Sequence, residues 1–198
     1  MSHFLRIFSP AVPPPADKLS EALPAGFTLE VEQGDDGGWE QLVLKRAPDG
    51  PVLAVAEHDE VSPGSMAHEE LAELADELAE ARPTGAAKWV KAYFHMVRSV
   101  TTIEIAAAVT NEADLEAVQA LQGRIWSLAG GILQSEGEGF TNEDGHHVVW
   151  QFDDDATGAW KMAVLDGDEW VAFEMDLGDI KARETFLSGK MPKGAKEL

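Results

Sequence analysis

The sequence has no cysteine among its 198 residues. That absence excludes disulfides, thiolate metal ligands, iron–sulfur clusters and cysteine nucleophiles together. Chains without cysteine have no need of an oxidising compartment, so the sequence predicts a cytoplasmic protein.

Long apolar runs are missing as well. The apolar segment at residues 4–8 is too short for a secretory signal, and Pro13–Pro15 would interrupt a longer one. No stretch approaches the ~18 to 20 uninterrupted apolar residues that a membrane-spanning helix needs. We therefore expect a soluble chain that does not interact with membranes.

Basic residues are scarce. Lys and Arg number 15 against 36 Asp and Glu, which gives a formal net charge of −21. Such a chain is repelled by nucleic acid phosphates and by anionic lipid surfaces, so neither is an expected partner. The expected partner is a basic protein, although an acidic surface also serves solubility alone.

The motifs of common catalytic and cofactor sites do not occur. The position four residues after His68 is Ala72, which excludes the zinc-peptidase pattern H-E-x-x-H. Gly137 and Gly139 precede neither a lysine nor a helix start, so they fit neither the P-loop nor the dinucleotide fingerprint. We expect no cofactor and no bound metal, and the sequence favours a non-enzymatic protein without excluding an enzyme.

Four polar clusters are the remaining candidates for chemistry. Alternation along a strand sends His58 and Glu60 to the same side, whereas His146 and His147 point to opposite faces at an exposed hairpin tip. The carboxylates lie in Asp- and Gly-rich stretches that are typical of turns and lack the calcium-loop spacing. If a metal is bound after all, its first candidate ligands are His58, Asp59, His146 and His147, and the acidic clusters are Asp153, Asp154, Asp155, Asp166, Asp168 and Glu169.

Hydrophobic periodicity indicates a mixed α+β protein. Strand patterns occur at residues 4–8, 27–31, 40–46, 52–56, 100–109, 132–135, 147–152, 160–165 and 170–175. Helical spacing occurs at residues 17–23, 66–81, 89–97 and 112–129. Turn residues cluster at 34–38, 142–145 and 166–168.

The helix at 112–129 is predicted to begin at the N-cap residue Asn111 and to end at Gly130. Its apolar residues recur at helical spacing. Those expected to point inward are Leu115, Val118, Leu121, Ile125 and Leu128.

The predicted fold class is α+β, with antiparallel sheets packed by helices. Both halves place a strand before a helix that is followed by antiparallel strands, so we expect two similar β-α-β-β units joined by a helical connector. The predicted segments are an N-terminal α+β unit at 1–62, the connector at 63–98, a C-terminal α+β unit at 99–178 and a tail at 179–198.

The helix at 66–81 carries the candidate partner-binding surface. Ser65 is its predicted N-cap, and Leu71, Leu74 and Leu78 fall on one side. The other side is an almost continuous anionic strip, which we call the acidic strip. It consists of Glu69, Glu73, Asp76, Glu77 and Glu80.

These features favour an acidic, non-enzymatic protein that docks a basic protein partner, for example a bacterial immunity protein that neutralises a cationic toxin. One alternative is a divalent-metal-dependent hydrolase that uses the Asp and His clusters. A second alternative is a structural or assembly component. The sequence makes no prediction of oligomeric state.

Overall fold

The computed structural model describes residues 3–34 and 38–198. Helices make up 29% and strands 35% of it, and the strand pairing is mostly antiparallel, so the predicted α+β class is confirmed. Every helix in the described ranges is too short or too polar to cross a membrane. The turn predicted at 34–38 falls mainly on residues 35–37, which lie outside the described residues.

The chain forms five α-helices and eleven strands in the described ranges. The helices are α1 Ala16–Ser20, α2 Met66–Glu77, α3 Thr84–Tyr93, α4 Glu112–Ala129 and α5 Ile180–Leu187, with a 3-10 turn at Phe94–Met96. The strands are β1 His3–Ser9, β2 Phe27–Gln33, β3 Trp39–Arg46, β4 Val52–Glu60, β5 Ser99–Ile105, β6 Ile132–Ser135, β7 Gly139–Thr141, β8 His147–Trp150, β9 Ala159–Asp166, β10 Glu169–Asp176 and β11 Lys196–Glu197.

The chain divides into two compact units, each built from two stretches of sequence. The first unit comprises Met1–His68 and Val97–Gly131, and the second comprises Glu69–Met96 and Ile132–Leu198. These units follow spatial contacts and not chain order, and the linear division into segments at 62, 98 and 178 stays a prediction.

The first unit contains an antiparallel sheet in the order β1-β5-β4-β3-β2. Period-two alternation determines which side chains are buried. Leu42, Ala56 and Ile103 are paired across three strands and all are buried, on the face toward α1 and α4. The opposite face carries Glu32 and Glu57, both exposed, in one row with Gln41.

Helix α4 is rotated relative to the sequence-based prediction. Val118, Leu121 and Ile125 are buried as expected. Leu115 and Leu128 are 45% and 42% exposed, so the prediction that they point inward is wrong. The buried face instead includes Asp114 and Ala129, because Asp114 has an ionic partner on strand β3.

The second unit contains a sheet in the order β11-β10-β9-β8-β7-β6. The pairs are antiparallel except for β8 with β9, which are parallel at His147 and Met162. The turns predicted at 142–145 and 166–168 connect β7 to β8 and β9 to β10, as their Asp-Gly content indicates.

Helix α5 lies in the stretch 179–198 that was predicted to be a tail, and it forms because it packs on the core of the second unit. Asp179 Oδ1 accepts hydrogen bonds from the backbone N–H groups of Lys181 and Ala182 and so caps the helix. Phe186 on α5 is fully buried and packs against Phe173 at a centroid distance of 6.4 Å. A single buried aromatic residue per short helix leaves little periodic signal in the sequence.

Candidate functional site

The acidic strip lies on the exposed side of helix α2 and just beyond its end. Its five members, Glu69, Glu73, Asp76, Glu77 and Glu80, are all exposed. No ion pair or side-chain hydrogen bond joins any of them to another residue within 3–34 and 38–198. Their carboxylates are therefore available to solvent and to a binding partner.

The side of α2 opposite the acidic strip is anchored by apolar residues. Leu71, Leu74 and Leu78 are buried, as the helical spacing predicts. The predicted N-cap is also present, since Ser65 Oγ accepts a hydrogen bond from the backbone N–H of His68 at 3.2 Å. The phase of the helix is thus determined by its leucines, and it leaves the carboxylates on the outside.

The C-terminal half of α2 is electrostatically unfavourable on its own. Asp76 and Glu77 occupy its last turn, which holds no basic residue. Acidic groups there interact unfavourably with the negative end of the helix dipole. Lys91 of α3 reaches this helix, but its Nζ donates a hydrogen bond to the backbone oxygen of Ala75 at 3.1 Å and not to a carboxylate.

A pocket of about 380 Å³ lies in the first unit. One wall is the loop that contains Pro13–Pro15, and the other is formed by Trp39 at the start of β3 and His58 near the end of β4. The indole Nε1 of Trp39 donates to the backbone oxygen of Pro14 at 2.8 Å, which ties β3 to the loop. The rings of Trp39 and His58 meet edge to face, with centroids 4.7 Å apart and an interplanar angle of 70°.

His58 lines a second, smaller concavity of about 230 Å³, whose walls are polar. The candidate cluster at residues 57–60 therefore lies between the pocket beside Trp39 and this acidic concavity. Glu60 lines the first pocket together with His58. The carboxylates of the second are Glu32, Glu40, Glu57 and Asp59.

Sequence reasoning did not identify this pocket. Trp39 and Pro14 are 25 residues apart, and no sequence spacing links them. The available signal was the combination of a proline run with a tryptophan that follows a glycine-rich turn, which is too common a pattern to indicate a site.

His146 and His147 were expected at an exposed hairpin tip, and for His147 this expectation is wrong. His147 is only 2% exposed and packs against the rings of Phe152 and Trp160, at centroid distances of 4.7 and 5.8 Å. Its Nε2 atom is buried without a hydrogen-bond partner among the described residues. The tip itself is organised by Asn142, whose Oδ1 accepts from the backbone N–H groups of Asp144 and His146.

Burial lowers the pKa of His147 to about 4. The backbone carbonyls of Glu138 and Val149 favour the protonated ring and oppose that shift, but neither forms a hydrogen bond with Nε2. Nearby, burial and then the carboxylate of Glu143, which accepts the hydroxyl proton of Tyr93 at 2.7 Å, raise the pKa of Tyr93 above its usual range.

The acidic clusters of the second unit lie in exposed turns. Asp153, Asp154 and Asp155 precede β9, and Asp166 and Asp168 lie in the β9–β10 hairpin. Arg183 holds the first of these turns by donating from Nη1 to the backbone oxygen of Asp154 at 2.9 Å. Within residues 3–34 and 38–198, no three His, Asp or Glu side chains are grouped in a way that would hold a metal ion.

The candidate histidines and carboxylates are therefore not brought together into one site. His58 lies in the first unit, His147 in the aromatic core of the second, and the acidic strip on α2. Comparisons of the chain with protein-family models, with curated proteins and with solved structures give no match.

Proposed function

We propose that this chain is a non-enzymatic acidic protein of the cytoplasm that docks a basic protein partner, in the manner of a bacterial immunity protein that neutralises a cationic toxin. The net charge of −21 supports a basic partner, since opposite charges accelerate encounter and like charges suppress it. The cysteine-free composition supports the cytoplasm.

The observation that carries the proposal is the acidic strip. Its carboxylates are three or four residues apart, a spacing at which like charges destabilise a helix. They are exposed and have no cationic partner within the described ranges. A basic surface laid along α2 would relieve this repulsion and would also compensate the negative end of the helix dipole.

The first step of the test identifies the partner by photocrosslinking. A photoreactive amino acid is placed at Glu77 in the full-length chain, and at the exposed turn residue Asp153 as the control position. The proposal expects a basic protein to be crosslinked from position 77 and not from position 153.

The second step measures association kinetics with that partner at two salt concentrations. The double reversal Glu73→Lys/Glu77→Lys is expected to lower the association rate about tenfold at low salt and to flatten its salt dependence, since screening acts over ~8 Å at physiological ionic strength. Asp153→Lys/Asp155→Lys makes the same change in net charge and serves as the matched control. Equal rates for both double variants would remove α2 from the interface.

A further inference from the structure

We propose that the pocket formed by Pro13–Pro15, Trp39, His58 and Glu60 receives an arginine side chain of the basic protein partner. The inference rests on the proposed function, because it assumes a basic protein, and it goes further by naming a recognition site in the first unit that is separate from the acidic strip. Three properties of the pocket support it.

The first property is a rigid apolar wall. Trp39 is 3% exposed, and its indole N–H is already bonded to Pro14, so the ring is held in place before any ligand arrives. The proline ring limits the backbone of the opposite wall. A side chain that enters such a pocket loses little of its binding free energy to ordering of the protein.

The second property is the position of negative charge. Glu60 lies at the pocket itself, whereas Glu57 and Asp59 line only the neighbouring concavity, because alternation along β4 turns them to the other face of the sheet. Glu57 accepts a hydrogen bond from Gln41 Nε2 at 2.6 Å. Within residues 3–34 and 38–198, no Lys or Arg forms an ion pair with these three carboxylates. A cation in the pocket therefore meets the carboxylate of Glu60, which has no cationic partner in that part of the chain.

The third property is the combination of shape and chemistry. The volume of about 380 Å³ falls within the ~300 to 1,000 Å³ that is usual for ligand pockets. Arginine combines an apolar stem, which suits the proline-lined wall, with a flat guanidinium that binds a carboxylate through two hydrogen bonds. Lysine offers a more strongly hydrated point charge and is a weaker match for a partly apolar site.

The test uses the full-length chain and a hexa-arginine peptide as the probe, with binding followed by NMR of the tryptophan indole N–H groups. The chain has six tryptophans, and a Trp39→Phe variant assigns the indole signal of Trp39. The proposal expects a saturable shift of the Trp39 signal and weaker binding of a hexa-lysine peptide.

Charge-removing variants then separate the two acidic surfaces. Glu60→Gln removes one charge at the pocket, and Glu77→Gln removes one charge from the acidic strip. We expect the pocket variant to weaken hexa-arginine binding roughly threefold to fivefold, and clearly more than the strip variant does.

Each other outcome overturns the inference in a distinguishable way. Weaker binding in the strip variant alone, with an unchanged Trp39 signal, would reject the pocket and leave the proposed function in place. Failure of the peptide to bind either surface would reject the pocket and would also count against a basic partner. If acetyl-arginine amide binds as tightly as the peptide, the pocket is a small-molecule site and the docking inference is wrong.

Discussion

Arg46 on strand β3 and Asp114 on helix α4 form a two-point ion pair across the first unit. Nε of Arg46 donates to Oδ1 of Asp114 at 2.9 Å, and Nη2 donates to Oδ2. Asn111, the N-cap of α4, donates to the same carboxylate from Nδ2 at 2.9 Å. The hydrogen bond from Arg46 is the largest cause that lowers the pKa of Asp114.

Replacing Asp114 by Asn should destabilise the first unit, because the guanidinium loses its charged acceptor at a buried position. We expect a lower melting temperature for Asp114→Asn, measured by circular dichroism. Glu116→Gln changes an exposed residue of the same helix and is the control. Its melting temperature should equal that of the wild type. Equal melting of all three proteins would show that the pair contributes nothing.

The same pair predicts an acid dependence. Because the folded-state pKa of Asp114 is depressed, its contribution to stability is present above the ordinary aspartate pKa and is lost as the pH falls through the folded value. Between pH 5 and pH 2, the stability of Asp114→Asn should therefore fall less steeply than that of the wild type. Parallel acid-unfolding curves would contradict this.

His147 predicts a second pH dependence, at higher pH. Its pKa is about 4 in the folded chain and ~6.5 in an unfolded one, so between these values only the unfolded chain is protonated. The free energy of unfolding should fall by ~3 kcal/mol as the pH drops from 7 to 4. Urea unfolding at several pH values measures this free energy. In His147→Leu, the part of the fall between pH 7 and pH 4 that is due to histidine protonation should disappear.

Leu74 tests the phase of helix α2. Its side chain is buried on the side opposite the acidic strip. Truncation to alanine at such a site costs ~2 to 5 kcal/mol. Glu73→Ala, the exposed neighbour, is the control and should change stability by less than ~0.5 kcal/mol. A Leu74→Ala protein as stable as the wild type would show that this side of α2 is not packed.

Gly130 and Gly131 form a matched pair at the end of α4. Both have positive φ, 68° and 102°, but a Cβ on Gly131 would lie 2.1 Å from the backbone oxygen of Phe8, whereas a Cβ on Gly130 meets nothing within 4 Å. Gly130→Ala should cost ~1 to 3 kcal/mol for the backbone conformation alone, because φ 68° with ψ −170° is a region that essentially only glycine adopts. Gly131→Ala should cost more, because β1 has to move. Equal losses in chemical denaturation would refute the close approach.

Local patterns were sufficient for much of the fold. The alternation of Phe27, Leu29 and Val31 predicted strand β2, and the Asp-Gly turns at 142–145 and 166–168 predicted two hairpins. The leucines of α2 gave the correct helix phase, and with it the exposed side that holds the acidic strip. In each case the determining residues are close together in the chain.

The rest depended on contacts between residues that are distant in sequence. Asp114 is inside and Leu115 outside because Arg46, 68 residues earlier, makes a buried carboxylate tolerable. His147 is buried because Phe152 and Trp160 enclose it.

The pocket beside Trp39 exists because the indole bonds to Pro14 across 25 residues. Hydrophobic periodicity in a sequence indicates only whether a residue at a given position is suited to burial. Which polar groups are buried, and which rings form a wall, is decided by the partners that the tertiary structure brings to them.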